Sequence, residues 1–255
     1  MSSNHSKSIG KKYLHYFVER GNFEKCKLLI KHGANINIPD KDGYTPLIIA
    51  SRNNNSELCK LLLKHGAKIN ILDYGDNKDT ALIYAAYYGY LEICKLLLKH
   101  GAKVNIQNED GQTALIYAAC HGHFEICILL IKHGAKVNIQ ETDGNTALIS
   151  AADENHLEIC KFLIKHEANI NILNNKGESP LLFIINNCPK ENCTNHLNFC
   201  KLLIEMGANV PEKEYDNCEQ INFFLNIILK FHKLKISLLL LKYFPKVICN
   251  LILEF

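Results

Sequence analysis

Apolar positions along this chain gather into short paired bursts, the second of most pairs closed by glycine. Residues 107–139 show the pattern once in full. Leu115, Ala118 and Ala119 make one apolar face of a segment from Ala114 to His121, and Phe124, Ile126, Cys127, Leu129, Leu130 and Ile131 supply apolar contacts from Phe124 to Lys132. Both segments carry helical rather than alternating periodicity. Asp110-Gly111 before them is a turn signal, because glycine supplies the positive φ that tight turns require. Thr113 is placed to accept a hydrogen bond from an unpaired amide at the first helix start. Gly122 ends that helix, and Gly134 closes the second in the left-handed conformation. Val137-Asn138-Ile139 is expected to run out extended toward the next turn.

The pattern recurs. Nearly the same phrase, Cys-x-x-Leu-Leu/Ile-x-His-Gly-Ala-x-Val/Ile-Asn, places its cysteine at Cys26, Cys59, Cys94, Cys127, Cys160 and Cys200, at intervals of 33, 35, 33, 33 and 40 residues. A period in this range means one small helix-turn-helix unit stacked on copies of itself, since a single unit cannot bury its own apolar faces. The chain divides accordingly into a disordered tail over 1–8, repeats over 9–209, and a degenerate terminal repeat with an apolar cap over 210–255.

Four turn motifs sharpen the reading: Asp42-Gly-Tyr-Thr-Pro-Leu47, Asp110-Gly-Gln-Thr-Ala-Leu115, Asp143-Gly-Asn-Thr-Ala-Leu148 and Lys176-Gly-Glu-Ser-Pro-Leu181. With the Leu-Leu-x-x-Gly-Ala endings, they resemble the ankyrin repeat. The resemblance implies an all-α solenoid of about seven units with β-turn fingers, the first and last acting as caps. Pro46 and Pro180 fall at the first helical position, where a missing amide costs nothing. The departures are specific. The family's Thr-Pro-Leu-His reads Thr-Pro/Ala-Leu-Ile, with Ile48, Ile83, Ile116 and Ile149 in place of the histidine that ties adjacent loops; the N-terminal unit keeps Leu14-His15. Two extra residues between Asp73 and Asp79 predict a longer finger, Glu167 replaces a helix-ending glycine, and the sixth unit carries an insertion from Cys188 to Thr194.

Composition removes several function classes. The net charge is +3, from 29 basic and 26 acidic residues interspersed without a basic stripe, so nucleic acid is not the expected partner. The polar start lacks the apolar stretch of a secretory signal, and free thiols fit a reducing compartment, which points to the cytoplasm. Residues 221–255 are apolar but broken by six charged or histidine positions from Lys230 to Lys246, so no membrane span is expected. The recurring cysteines and His32, His65, His100, His133 and His166 invite a metal or disulfide reading. Stacked helices hold equivalent positions about 8–10 Å apart, too far for either. The aperiodic cluster Cys188, Cys193, His196 and Cys200 fits no common zinc spacing. Neither cofactor nor metal is expected. With no phosphate loop, nucleophile elbow or paired carboxylates, neither is catalysis.

Residues 234–243 align with 91–100, making 218–231 an enlarged inner helix of a seventh unit. The apolar end, 244–255, is read as a lid folding back on the array. The alternative is a docking tail, since it loosely resembles the F-box-like ends of poxvirus ankyrin proteins and would make the chain a ubiquitin-ligase substrate adaptor. The main expectation from the resemblance is non-enzymatic recognition of a protein by a monomer, through the concave face. The Asn-, Ile- and Lys-rich wording resembles ankyrin proteins of large DNA viruses and intracellular parasites, which implies a host protein as target, in the host cytoplasm. Carried over by motif, the inner-helix ends present Arg52 and Asn53, then Tyr87, Tyr88 and Tyr90, then Cys120 and His121, then Asp153 and Glu154. The finger tips add Lys41, Tyr44, Tyr74, Glu109, Gln112, Thr142 and Asn145. Tyr84 and Tyr117 are expected to pack inside, and Tyr87 and Tyr88 to stay open. A tyrosine group beside an arginine is the expected hot spot, because interface energy concentrates in these residue types.

Overall fold

The computed structural model describes residues 13–75, 77–186 and 194–210. The tail over 1–8, the terminal repeat and cap beyond 210, the 244–255 segment, and Cys188 and Cys193 lie outside the described residues. The described part is all-helical, with twelve short helices and no extended strand among them. Contacts divide the chain into two compact units, Met1–Thr142 and Asp143–Phe255.

In the first unit, α1 (13–19), α3 (Pro46–Arg52), α5 (Ala81–Tyr87) and α7 (Ala114–Cys120) are inner helices. Each is followed by an outer helix: α2 (Phe23–Lys31), α4 (Ser56–Lys64), α6 (Leu91–Lys99) and α8 (Phe124–Lys132). α3 packs on α5 and α5 on α7, while α2, α4, α6 and α8 pack in series behind them. The second unit repeats the design with α9 (Ala147–Asp153), α10 (Leu157–Lys165), α11 (Pro180–Asn186) and α12 (Thr194–Glu205).

The inner helices start where the sequence says they should. Thr45, Thr80, Thr113 and Thr146 each accept the amide of the isoleucine three residues on, at 3.2–3.4 Å, and Ser179 does the same for Leu182 at 3.2 Å. Each such cap is worth about 1 kcal/mol. Those isoleucines, Ile48, Ile83, Ile116 and Ile149, are buried, so dispersion contacts occupy the place of the family's loop-tying histidine. His15, which remains, donates its Nε2 hydrogen to the Tyr44 carbonyl at 3.1 Å. Elsewhere a backbone bond recurs from one finger to the next. The amides of Tyr74, Glu109 and Thr142 donate to the carbonyls of Asp42, Asn77 and Asp110 in the preceding finger.

The repeated cysteines are fully buried, and burial pushes Cys26 and Cys59 up to about 11 and Cys94 and Cys127 up to about 12. They act as small apolar residues. The repeated histidines cap the outer helices, and the Nδ1 hydrogens of His32, His100 and His133 donate to the carbonyl four residues back at 2.8–2.9 Å. Glu167 does adopt the left-handed backbone its place demands, at φ 68°.

One expectation is corrected. Val137 and Asn138 lie in a turn, not in an extended arm. The equivalent asparagines elsewhere give the reason, since a turn lets their carboxamides reach the adjacent repeat. Asn37, Asn70 and Asn105 accept the amides of Lys68, Lys103 and Lys136 at 2.7–2.9 Å, and Asn37 and Asn105 donate to the carbonyls of Gly66 and Gly134. In the second unit Asn171 makes the same pair of bonds, to Gly207 and Asn209.

Candidate recognition face

Inner helices here are only seven residues long, so their last residues and the following cap stand clear of the packed core. Tyr87 closes α5, Tyr88 is its C-cap and Tyr90 precedes α6; His121 is the C-cap of α7 and His123 precedes α8. Folding gathers these positions into one aromatic cluster. The Tyr87 ring meets Tyr88 at 4.8 Å, Tyr117 at 5.3 Å and His121 at 4.5 Å, all near edge-to-face, while Tyr88 stacks on Tyr90 at 5.6 Å. Such pairs contribute about 0.5–1.5 kcal/mol each beyond area burial, so the rings are held in place before anything binds. Tyr87 and Tyr88 nevertheless keep 40% and 44% of their surface open.

The support beneath them is a histidine contact. His123 donates its Nε2 hydrogen to the Tyr87 carbonyl at 3.1 Å. Its ring fills the space beside Gly89, where an added Cβ would stand 2.5 Å from the imidazole and where φ is +78°. Glycine is therefore required at Gly89 on two counts.

Arg52 and Tyr44 form a second group one repeat earlier. The Arg52 guanidinium lies 4.7 Å over the Tyr44 ring, and Tyr44 meets the edge of Tyr84 at 6.2 Å. Asn53 is exposed and donates to the Glu19 carbonyl at 3.4 Å.

The finger residues are placed individually. Tyr74 is 68% exposed, the most open large hydrophobic side chain among the described residues. Glu109 pairs with Lys78 at 2.9 Å. Gln112 gives its amide to Asn108 Oδ1 at 2.8 Å and is half-buried. Thr142 is exposed, and its hydroxyl donates to Glu141 at 3.3 Å. Lys41 is exposed beside Asp42, and Cys120 is half-buried. In the second unit, Asp153 and Glu154 are both exposed at the end of α9, and partial burial with the adjacent Glu154 pushes the Asp153 carboxyl above its usual range. Asn145 accepts from Asn174 Nδ2 at 3.1 Å.

Below the fingers lies a polar network that sequence reasoning did not identify. Most fingers close by an amide-to-carbonyl bond spanning four residues, as in Asp40 to Tyr44 and Asn108 to Gln112; the inserted one closes from Asp73 to Asp79. This finger holds two buried aspartates. Asp73 accepts the Tyr84 hydroxyl at 2.8 Å and the Gly75 amide at 2.9 Å, and Asp79 accepts from Asn108 Nδ2 at 2.8 Å. Asn77 and Asn108 both donate toward the Tyr117 hydroxyl at 3.4 Å. Burial, and then the charges of Asp73 and Asp110, raise the Asp79 carboxyl to about 6 against the lowering effect of Asn108. The irregular interval between Cys59 and Cys94 was the available signal. Tyr117 belongs equally to this network and to the aromatic cluster.

No group of three His, Cys, Asp or Glu side chains stands together among the described residues as metal ligands, and no described helix is long and apolar enough to cross a membrane. Near the undescribed insertion, His196 Nδ1 is buried without a hydrogen-bond partner, and burial pulls its pKa down. No curated protein matches the chain. The family model for ankyrin repeats in groups of three copies matches it three times, at residues 2–73, 71–141 and 136–214. Members of that family are interaction modules that bind proteins. With the paired helices, threonine caps and tied fingers already in place, those matches make this chain a member of the ankyrin-repeat family.

Proposed function

We propose that the chain is a non-catalytic recognition module that grips a partner protein on the face built from inner-helix ends and fingers, the concave side of the family's arrays. The observation that carries this reading is the cluster of Tyr87, Tyr88, Tyr90 and His121, in which rigid aromatic rings are braced by one another yet remain partly open. Braced rings lose little side-chain freedom on binding, which is why tyrosine dominates hot spots. Arg52, Asn53, Tyr44 and the finger residues Tyr74, Glu109, Gln112 and Thr142 extend the contact surface. In the second unit Asn145, Asp153 and Glu154 are assigned to the same task.

The Asn-, Ile- and Lys-rich wording supports a host protein as target, met in the host cytoplasm by a monomer. Nucleic acid and bilayer have no part in this reading. The substrate-adaptor alternative draws on residues 244–255, and deleting them separates the two: a folded product that loses one partner favours the adaptor.

Affinity capture or proximity labelling with the intact chain tests the main reading. The Tyr87→Ala, Tyr88→Ala double variant is expected to melt close to the parent and to recover the partner poorly. Equal recovery by both chains would reject the cluster as the contact, and cooperative loss of fold would assign both rings to the core.

A further inference from the structure

Among the 29 basic residues of this chain, all but Arg20 and Arg52 are lysines. A sequence that writes lysine everywhere else uses arginine at the ends of two neighbouring inner helices, Arg20 directly after α1 and Arg52 as the last residue of α3. Those ends are joined, because Asn53 Nδ2 donates to the Glu19 carbonyl at 3.4 Å, and the arginines flank that bond. Each guanidinium lies over a tyrosine, Arg20 at 3.9 Å from the Tyr16 ring centre and Arg52 at 4.7 Å from that of Tyr44. Neither arginine has a carboxylate within ion-pairing distance among the described residues. Lys60, Lys78, Lys95 and Lys161, by contrast, are each paired with a glutamate. Glu19, exposed beside Arg20 in sequence, makes no ion pair with either.

A guanidinium stacked on a ring has its plane fixed, and its row of N–H donors faces outward at little further ordering cost. A carboxylate meeting that edge accepts two parallel hydrogen bonds, a geometry that the point charge of lysine cannot offer. Adjacent stacked helices lie about 8–10 Å apart. Residues two or three apart in an extended peptide are separated by about 7–10 Å, so one short segment can reach both forks.

We infer that Arg20 and Arg52 form a carboxylate clamp that grips an acidic linear segment of the partner protein. This rests on the recognition face proposed above, with the Tyr87 cluster taking a more apolar part of the same partner.

The test begins with a displayed random-peptide library selected on the full chain. The best peptide is then synthesised, labelled, and titrated by fluorescence anisotropy. Titrations use the parent, the Arg20→Lys, Arg52→Lys variant, the Arg20→Gln, Arg52→Gln variant and the Tyr87→Ala, Tyr88→Ala variant, each first shown to melt like the parent. Selected sequences should be rich in Asp and Glu two or three residues apart, and both arginine variants should bind about tenfold or more weakly, the lysine form included. An empty selection, neutral or basic winners, or parent-like binding by the lysine variant would overturn the clamp. So would equal binding of an oligonucleotide of the same charge, which would reduce the effect to general attraction. A neutral peptide that needs Tyr87 and Tyr88 but neither arginine would sink the clamp and keep the recognition face. An acidic peptide that needs the arginines but not the tyrosines would keep the clamp and remove the tyrosine cluster from the contact.

Discussion

Outer helices and inner-helix ends obey opposite rules in this chain. α4, α6 and α10 are near-copies: Glu57, Glu92 and Glu158 each pair with the lysine three residues on, and Cys59, Cys94 and Cys160 are fully buried behind them. The inner-helix ends read Arg52-Asn53, Tyr87-Tyr88, Cys120-His121 and Asp153-Glu154, with no two alike. Stacking asks the same of every outer helix at its packed positions, so the cysteine and the leucine three residues on recur in all six. Nothing in the packing dictates which residues come after the second turn of an inner helix, and that freedom is where a partner can be specified.

The comparison can be broken most forcefully at the constant positions. Leu97, fully buried in α6, is expected to cost about 2–5 kcal/mol when changed to alanine, read by chemical denaturation. An unchanged midpoint would show that the outer helix is not packed as described. Gly89→Ala should cost about 1–3 kcal/mol, because it forces a left-handed alanine against the His123 ring. It should also disturb Tyr87, whose carbonyl that histidine holds. Loss of stability without a change in the tyrosine environment would separate the two effects.

A smaller effect tests the inserted finger. The folded Asp79 titrates near 6, above its ordinary 3.8, so the folded state holds this proton more tightly than the unfolded chain does. Its contribution is most favourable below the unfolded value and is lost as pH rises from about 4 through 6. Asp79→Asn should therefore gain about 1–2 kcal/mol at pH 7, discounted for the nearness of solvent, and flatten that part of the stability-pH curve. A destabilised variant at pH 7 would mean the charge is needed by Asn108. Least of all, Glu92→Gln on the outer surface should move stability by no more than about 0.5 kcal/mol, and less in high salt.

The periodic part of the molecule was legible in its residues. Thr113 as a cap, Phe124–Lys132 as a helix, buried Cys127 and the strained Glu167 come from spacing and side-chain chemistry alone. Val137-Asn138 was misread because an extended tripeptide and a turn held by a carboxamide look alike until the neighbouring repeat is present. The candidate face was legible in place but not in arrangement. Position in the repeat brings out Tyr87, Tyr88 and His121. That Tyr117 joins them, that His123 braces them and that Tyr44 lies under Arg52 depend on distances between units. The Asp73–Asp79 network was signalled only by an irregular interval, because which residue of an insertion turns inward is decided by the next finger along the chain.

The asparagine joint between repeats has an evolutionary consequence. Asn37, Asn70 and Asn105 reach forward to main-chain groups, so the receiving unit needs no particular side chain to accept the bond. Any copy ending in the same glycine turn fits the socket. A cassette of one period can thus be excised, duplicated or shuffled by recombination with its seam intact, leaving selection free to rewrite what each cassette displays.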